Sequence, residues 1–318
     1  MERVLIIGAN GQIGSELVIA LRARRGDNAV IASDISPAGS LLDGNGPFLH
    51  LDVLDEDALR RFIREERITI VYHMAALLSA TAERHPMKAW RLNMDGLLHV
   101  LNACVEMGVK QLFWPSSIAA FGPDAPKENT PQVVPMNPDT VYGITKVAGE
   151  QLCAWYHRKH GLDVRSLRYP GLISHRTLPG GGTTDYAIDI FHAALSDGTY
   201  TCFLKPDASL PFMYMDDAIA GTLQLMDTPA DRITVRTSYN ITAFSLSPHE
   251  LATEIRKHIP EFRISYEPDY RQQFAESWPR SIDDSQARTD WNWKPRFELS
   301  ELVEDMLKHV RVLTEQAD

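Results

Sequence analysis

A tyrosine and a lysine four residues apart, in Tyr142-Gly143-Ile144-Thr145-Lys146, carry the sharpest chemical signal in this chain. On a helix that spacing puts both side chains on one face. A free phenol has a pKa near 10 and is only about 0.1% ionised at neutral pH, whereas a nearby ammonium favouring phenolate by roughly 2 units raises this to about 10%. Such a pair can take the proton from an alcohol. The same spacing also occurs where a half-buried ring lies beside a solvated amine, so neighbouring motifs decide its meaning. One is Phe113-Trp114-Pro115-Ser116-Ser117, read as the carboxyl end of a strand beginning near Lys110, where ligands of open α/β sheets bind. A hydroxyl there, Ser117 in preference to Ser116, can hold an alcohol beside the phenol. The plainer alternative is a pair of hydroxyls satisfying a strand end.

A second motif lies at the amino end. The apolar run Arg3-Val4-Leu5-Ile6-Ile7 has the character of a buried parallel strand, and Gly8-Ala9-Asn10-Gly11-Gln12-Ile13-Gly14 follows it. This reads as strand, glycine turn and a helix running to Arg25 with Gly26 as its stop, which places bare amides where a dinucleotide pyrophosphate meets a helix amino end. The spacing is GxxGxxG, a variant of the GxGxxG fingerprint whose last two glycines still open the helix. An ordinary tight turn would also use such glycines. Val30-Ile31-Ala32-Ser33 then reads as a second strand ending at Asp34, twenty residues after Gly14, the offset at which an acid bonds an adenosine ribose. An acid there favours NAD over NADP, since a 2′-phosphate calls for arginine and Ser33, Ile35 and Ser36 offer none.

The elements that must position these groups follow from pattern. Apolar β-branched runs alternate with helical periodicity up to about Tyr169, as a doubly wound parallel sheet requires. Ile68-Thr69-Ile70-Val71-Tyr72 reads as a strand, residues 57–63 as a surface helix, and residues 89–107 and 141–160 as long helices. Residues 122–140 hold five prolines and read as an irregular crossing over the site. Beyond Tyr169 the pattern loosens, and segments near 178–186 and 260–285 are assigned to a smaller lobe. The expected division is residues 1–170 as the cofactor-binding sheet domain, with returning segments from the second half, and residues 171–318 as mainly a substrate-binding lobe.

Composition is that of an ordinary soluble globular chain of 318 residues, 44% hydrophobic and 23% charged, long enough for both lobes to bury a core. A net charge of −10 argues against nucleic acid or an anionic membrane as main partner. No apolar stretch approaches twenty residues and no signal pattern is read at the start, so a cytoplasmic location is expected. Cys104, Cys153 and Cys202 are scattered and read as reduced, packed thiols. His157 and His160 lie three apart without a third ligand in view, so they read as surface residues and no metal is expected.

Glycine turn, acid, Ser-Ser and Tyr-x3-Lys in this order resemble the extended branch of the short-chain dehydrogenase/reductase superfamily, with its Rossmann-type sheet and smaller C-terminal lobe. His73-Met74-Ala75-Ala76 and Asn93-Met94-Asp95-Gly96 also look like that branch's cofactor-lining segments. The resemblance implies that Asp52 and Val53 flank the adenine and that Ala75 and Ala76 line the cofactor. It further implies that Asn93 supports the active site, and that Tyr142, Lys146 and Tyr169 join Gly8, Asn10, Gly11, Gln12, Ile13, Gly14 and Asp34 in holding NAD. The alternatives are strand-end packing for the alanines and an ordinary polar helix residue at Asn93. It also implies a homodimer through a four-helix bundle of the two long helices.

Four strings in the second half are similar to those of the short-chain L-threonine 3-dehydrogenases, and this resemblance spans nearly the whole chain. They are Tyr169-Pro170-Gly171-Leu172-Ile173, residues 179–186, residues 210–219 and residues 277–285. By it the chain is expected to oxidise L-threonine at C3 to 2-amino-3-oxobutanoate with NAD, which a partner enzyme consumes. Tyr142 would be the base, Ser117 would bind the hydroxyl, and Ser79, Gly182, Thr183, Thr184 and Trp278 would complete the substrate site. Bare amides and hydroxyls at Gly180-Gly181-Gly182-Thr183-Thr184 suit a small zwitterion, the alternative being a flexible linker. Trp278 can close over an amino acid or simply belong to a core. Lys127 is considered as a charge partner of the carboxylate, against a plainly solvated lysine. Two rival readings remain: a nucleotide-sugar epimerase or dehydratase holding NAD through a redox-neutral cycle, and a non-catalytic NAD-sensing regulator.

Overall fold

The computed structural model describes residues 2–177 and 180–315; Pro179, within the expected substrate segment, lies outside the described residues. Strands that are apolar on both faces pair in parallel only if helices cover each face. The first half is built that way. β1 (Val4–Ile7), wholly buried, feeds α1 (Gln12–Arg25), which ends at Gly26, a residue at φ +86° that side chains rarely tolerate. β2 (Val30–Asp34) and β3 (Phe48–His50) precede α2 (Glu56–Glu65), whose first turn is held by the Asp55 carboxylate accepting from the Ala58 amide at 2.9 Å. β4 (Ile70–His73) starts two residues later than its sequence suggests. Arg67 turns the chain at φ +52° and the Ile68 amide bonds back to the Ile63 carbonyl, so Ile68 closes α2 instead of opening the strand.

After β4 come α3 (Ser79–Arg84), α4 (Pro86–Trp90) and α5 (Gly96–Glu106). The expected single helix over 89–107 is thus interrupted by a π-helical turn, Arg91–Asp95. β5 (Gln111–Ser117), α6 (Val141–His160) and β6 (Asp163–Tyr169) complete the first half. Residues 122–140 between β5 and α6 carry no helix, and a bridge from Thr130 to Ile282 pins them to the far end of the chain.

The second half contributes β7 (Gly171–Ile173), α7 (Tyr186–Ser196), β8 (Thr199–Cys202), β9 (Leu210–Tyr214), α8 (Met215–Asp227), β10 (Tyr239–Asn240) and β11 (Phe244–Leu246). It ends with α9 (Pro248–Arg256), β12 (Arg263–Tyr266), α10 (Arg271–Ser277), α11 (Ser285–Trp291) and α12 (Leu299–Glu315). β10 returns to the main sheet, whose order is β10-β6-β5-β4-β1-β2-β3, all parallel. β7, β9 and β11 form a three-stranded sheet, and β8 pairs with β12. One apolar cluster fills the space between the main sheet, α1, α8 and α11, and another lies on the opposite face under α2, α5 and α6. A third, from Ala82 to Val310, is mostly second-half residues. Strand order reverses at β1, with β2 on one side and β4 on the other, and a sheet of this type binds ligands at the carboxyl ends beside that reversal. No helix among the described residues is long and apolar enough to cross a membrane.

Candidate active site

In register, Ile7 and His73, the last residues of β1 and β4, stand beside Ser33, one residue before the end of β2, and Ser117 stands opposite Tyr169 on β5 and β6. The glycine turn lies over these strand ends. A Cβ on Gly8, at φ +81°, would stand 2.5 Å from the Ala75 nitrogen, and one on Gly14 would stand 2.2 Å from the Gly8 carbonyl oxygen. Only glycine permits so close a main-chain approach. Asp34 accepts from the Asn10 and Ser36 amides at 3.0 Å each, which fixes the acid at the end of β2. The Asn10 side chain turns away, donating to the Pro37 carbonyl at 2.8 Å and accepting from the Gly39 amide at 2.9 Å, so it braces the turn.

Two clefts meet at Gly8, Gly11, Met74 and Ala76. One is lined by Asp34, Asp52, Val53, Ala75 and Leu92. The other runs past Gln12, Ile13 and Gly14 to Ser117, Tyr142, Lys146 and Tyr169, and is walled by Ser79, Gly182, Thr183, Thr184, Asp185 and Trp278. The Gln12 amide nitrogen is buried without a hydrogen-bond partner among the described residues. A side-chain-free glycine turn at a helix start, a fixed acid twenty residues on and the unpartnered Gln12 side-chain donor fit a dinucleotide laid across both clefts. Asn93 lines neither. Its side chain accepts from the Leu77 amide at 2.9 Å and donates to the Leu77 carbonyl and the Thr145 hydroxyl, so it joins the chain after β4 to α6.

α6 is aimed by its amino end. The Thr140 hydroxyl accepts from the Gly143 amide at 3.0 Å, and a Cβ on Gly143 would meet the Ala119 carbonyl at 2.4 Å, so Tyr142 is pressed towards the loop after β5. Lys146 donates to the Pro115 carbonyl at 2.6 Å, its ammonium 4.6 Å from the centre of the Trp114 ring and 5.3 Å from that of Tyr142. The expected lowering of the phenol by the lysine is not found. Burial pushes Tyr142 up to about 12, with a Ser117 hydrogen bond working the other way, and burial brings Lys146 down to about 7. A dry site penalises both charged forms, and the ammonium lies against the ring face and the Pro115 carbonyl. His73, deep below, has no partner for either ring nitrogen among the described residues. Burial first, then Lys146, holds it down at about 3, hence neutral.

The two serines of β5 differ in their bonds. Ser117 lines the cleft, its oxygen accepting from the Ala119 amide, while Ser116 donates to Glu150 at 2.6 Å. Glu150 receives Arg168 on both oxygens, at 2.9 and 2.7 Å, and Arg168 reaches on to the Gln132 carbonyl and Asn240. This buried network ties β5, β6, α6, β10 and the proline-rich crossing together directly behind the reacting groups, and nothing in local spacing announces it.

The opposite wall departs from expectation at two points. The Gly181 and Gly182 amides, expected to face a substrate carboxylate, both donate to Asp185 Oδ2, at 2.8 and 2.6 Å. Lys127 is half-buried and away from the cleft: its ammonium donates to the Ser277 carbonyl at 2.8 Å and weakly to that of Trp278, and burial lowers its pKa. It therefore holds the backbone of Trp278, which is 5% exposed with an indole nitrogen unpartnered among the described residues. Ser79 and Thr183 hydroxyls stand 3.4 Å apart, and Tyr169 bonds Thr222. Asp185 was missed by the sequence reading, although an acid three residues after a glycine pair is the available signal.

Residues 4–242 match the model of the NAD dependent epimerase/dehydratase family. The chain is 47% identical over 307 residues to a Bos taurus protein named L-threonine 3-dehydrogenase, mitochondrial, covering 96% of this chain and 82% of that one. A Cupriavidus necator structure described as a GalE-like L-threonine dehydrogenase in its holo form superposes with a TM-score of 0.95 at 55% identity, covering 97% of this chain and 99% of that chain. A UDP-glucose 4-epimerase from Thermotoga maritima shares the fold at a TM-score of 0.86 and 23% identity, covering 98% and 99%.

Proposed function

Because the chain belongs to the NAD dependent epimerase/dehydratase family, we propose that the two clefts serve one reaction, the NAD-dependent oxidation of L-threonine at C3 to 2-amino-3-oxobutanoate. The observation that carries this reading is a single cleft lined by Ser117, Tyr142 and Lys146 on one side and by Ser79, Thr183, Thr184 and Trp278 on the other, open to the glycine turn. Residues 1–170 with the returning β10 form the cofactor side, and residues 171–318 supply most of the substrate side.

Gly8, Gly11, Gln12, Ile13 and Gly14 hold the pyrophosphate, Asp34 the adenosine ribose, Asp52, Val53, Ala75 and Ala76 the adenine side, and Lys146 and Tyr169 the nicotinamide end. Bound NAD supplies the hydride acceptor. The substrate hydroxyl lies between Ser117 and Tyr142, and Ser117 holds it while the phenol oxygen takes its proton. Since the phenol sits at about 12, the proton must leave as substrate arrives. An uncharged amine at Lys146, available at neutral pH because its pKa is depressed to about 7, takes up that proton and passes it to water, which leaves the phenol oxygen free to accept the substrate proton. Trp278 and Thr183 cover the small amino acid and exclude water. The β-keto acid produced loses carbon dioxide unless a partner enzyme takes it up. A homodimer through α5 and α6, where Trp155 is 44% exposed, and a cytoplasmic site of action complete the proposal.

The test is NADH absorbance on mixing purified protein with NAD and L-threonine, beside D-threonine, L-serine and UDP-galactose. Formation confined chiefly to L-threonine supports the reading; epimerised UDP-galactose without NADH from any amino acid overturns it.

A further inference from the structure

Away from the cleft, three side chains with metal-ligating chemistry converge where α12 crosses the segment leaving β7. His175, Asp305 and His309 each offer a ligand atom, and these atoms lie within 4.8 Å of one another. Asp305 and His309 stand one turn apart on α12, and His175 is two residues past β7. Surrounding hydrogen bonds fix which imidazole nitrogens are free. Tyr214 donates its hydroxyl to Asp305 Oδ2 at 2.6 Å, so at 2.8 Å it accepts from His175 Nδ1, which leaves the lone pair on His175 Nε2. His309 Nδ1 lies 2.9 Å from the Asp305 carbonyl oxygen, which only accepts, so His309 also keeps its lone pair on Nε2. Metal-binding histidines characteristically have the second nitrogen engaged in this way. Among the described residues, His175 Nε2 is met only by a long 3.4 Å contact from Arg176, an exposed side chain drawn towards Glu16 at 3.2 Å.

We propose that His175, Asp305 and His309 form a binding site for a divalent transition-metal ion of the zinc type, separate from the catalytic cleft. Two imidazole nitrogens and one carboxylate oxygen are the ligands such an ion prefers, with water free to take the fourth position. Asp216 adds negative charge facing His175, with Glu16 and Asp216 doing the same for Tyr214; Arg176 opposes them. The imidazoles now stack with their centres 4.2 Å apart and their planes at 19°. Ligation at about 2.0–2.2 Å requires one half-exposed ring to tilt out of the stack and Arg176 to swing away. A bound ion then staples the last helix to the strand end from which the substrate wall departs.

Isothermal titration of tag-free protein with zinc chloride, paired with thermal unfolding, tests this. The expected result is one ion per chain and a Tm rise of roughly 5 °C at a hundredfold excess over Kd. Affinity should fall at least tenfold in His309→Gln and in Asp305→Asn, but stay unchanged in His160→Gln. Circular dichroism and NAD binding establish that each variant is folded. Equal binding in wild type and both site variants, loss in His160→Gln instead, or no binding by folded wild type overturns the proposal.

Discussion

On the glycine-turn side of the cleft the close approaches are between main-chain atoms, with Gly8 against Ala75 and Gly14 against the Gly8 carbonyl. On the opposite wall the backbone is held by side chains: Asp185 clasps the nearby Gly181 and Gly182 amides, and Lys127 reaches across 150 residues to the carbonyl of Ser277. The first side has no room for an added atom. The second is fixed by contacts that a substitution can loosen by degrees. A cofactor common to a whole family suits the first kind of construction, and a substrate that differs between relatives suits the second.

That contrast can be broken or sharpened experimentally. The largest effect is expected where both sides meet: Tyr142→Phe should lower kcat by about 10²-fold or more with NAD affinity nearly intact. Turnover close to wild type would take Tyr142 out of the reaction. Next, Gly14→Ala should weaken NAD binding by about 1–3 kcal/mol, since the new carbon lands on a main-chain oxygen that cannot move independently. Fluorescence titration with NAD measures it, and an unaltered Kd would mean that the turn yields after all. Lys127→Met should cost about 1 kcal/mol at the substrate wall, a roughly fivefold rise in KM for threonine with unchanged NAD affinity. If the NAD affinity falls in step, the two sides are not independent.

The last test is a pH dependence of stability, read from the folding equilibrium and not from binding or turnover. Lys146 is lowered to about 7 in the folded chain, from an ordinary 10.5, so below pH 7 it is charged in both states and the folded state carries the full cost of burying the ammonium. Between about 7 and 10.5 the folded chain binds fewer protons than the unfolded one, and stability rises with pH. Tyr142, raised to about 12, works in the opposite sense above pH 10. Denaturation midpoints at pH 7 and 9.5 should therefore show a gain in wild type that Lys146→Met lacks; equal gains would contradict a depressed lysine.

The sequence revealed the glycine turn, the acid at Asp34, the end of β5 and the full extent of α6, because each is written in adjacent residues with a fixed period. It misled about the electrostatics of Tyr142 and Lys146. Spacing brings the two groups to one face but says nothing of how dry that face is or that Pro115 offers a carbonyl to the ammonium. The Glu150–Arg168 pair and the His175–Asp305–His309 cluster were not legible. Each joins segments that only the finished fold brings together, as Lys127 does with Ser277.

The return of Tyr239 and Asn240 to the edge of the main sheet bears on the order in which the protein can be made. As the chain leaves the ribosome, β6 emerges with one edge bare, and its partner follows about seventy residues later. At translation rates of about 5–20 residues per second, that edge waits several seconds for β10. During that time Arg168 lacks Asn240, and an unpaired strand edge invites other chains. Codon choice across residues 170–240 would then govern how much protein reaches the native state, even though none of those codons alters the finished molecule.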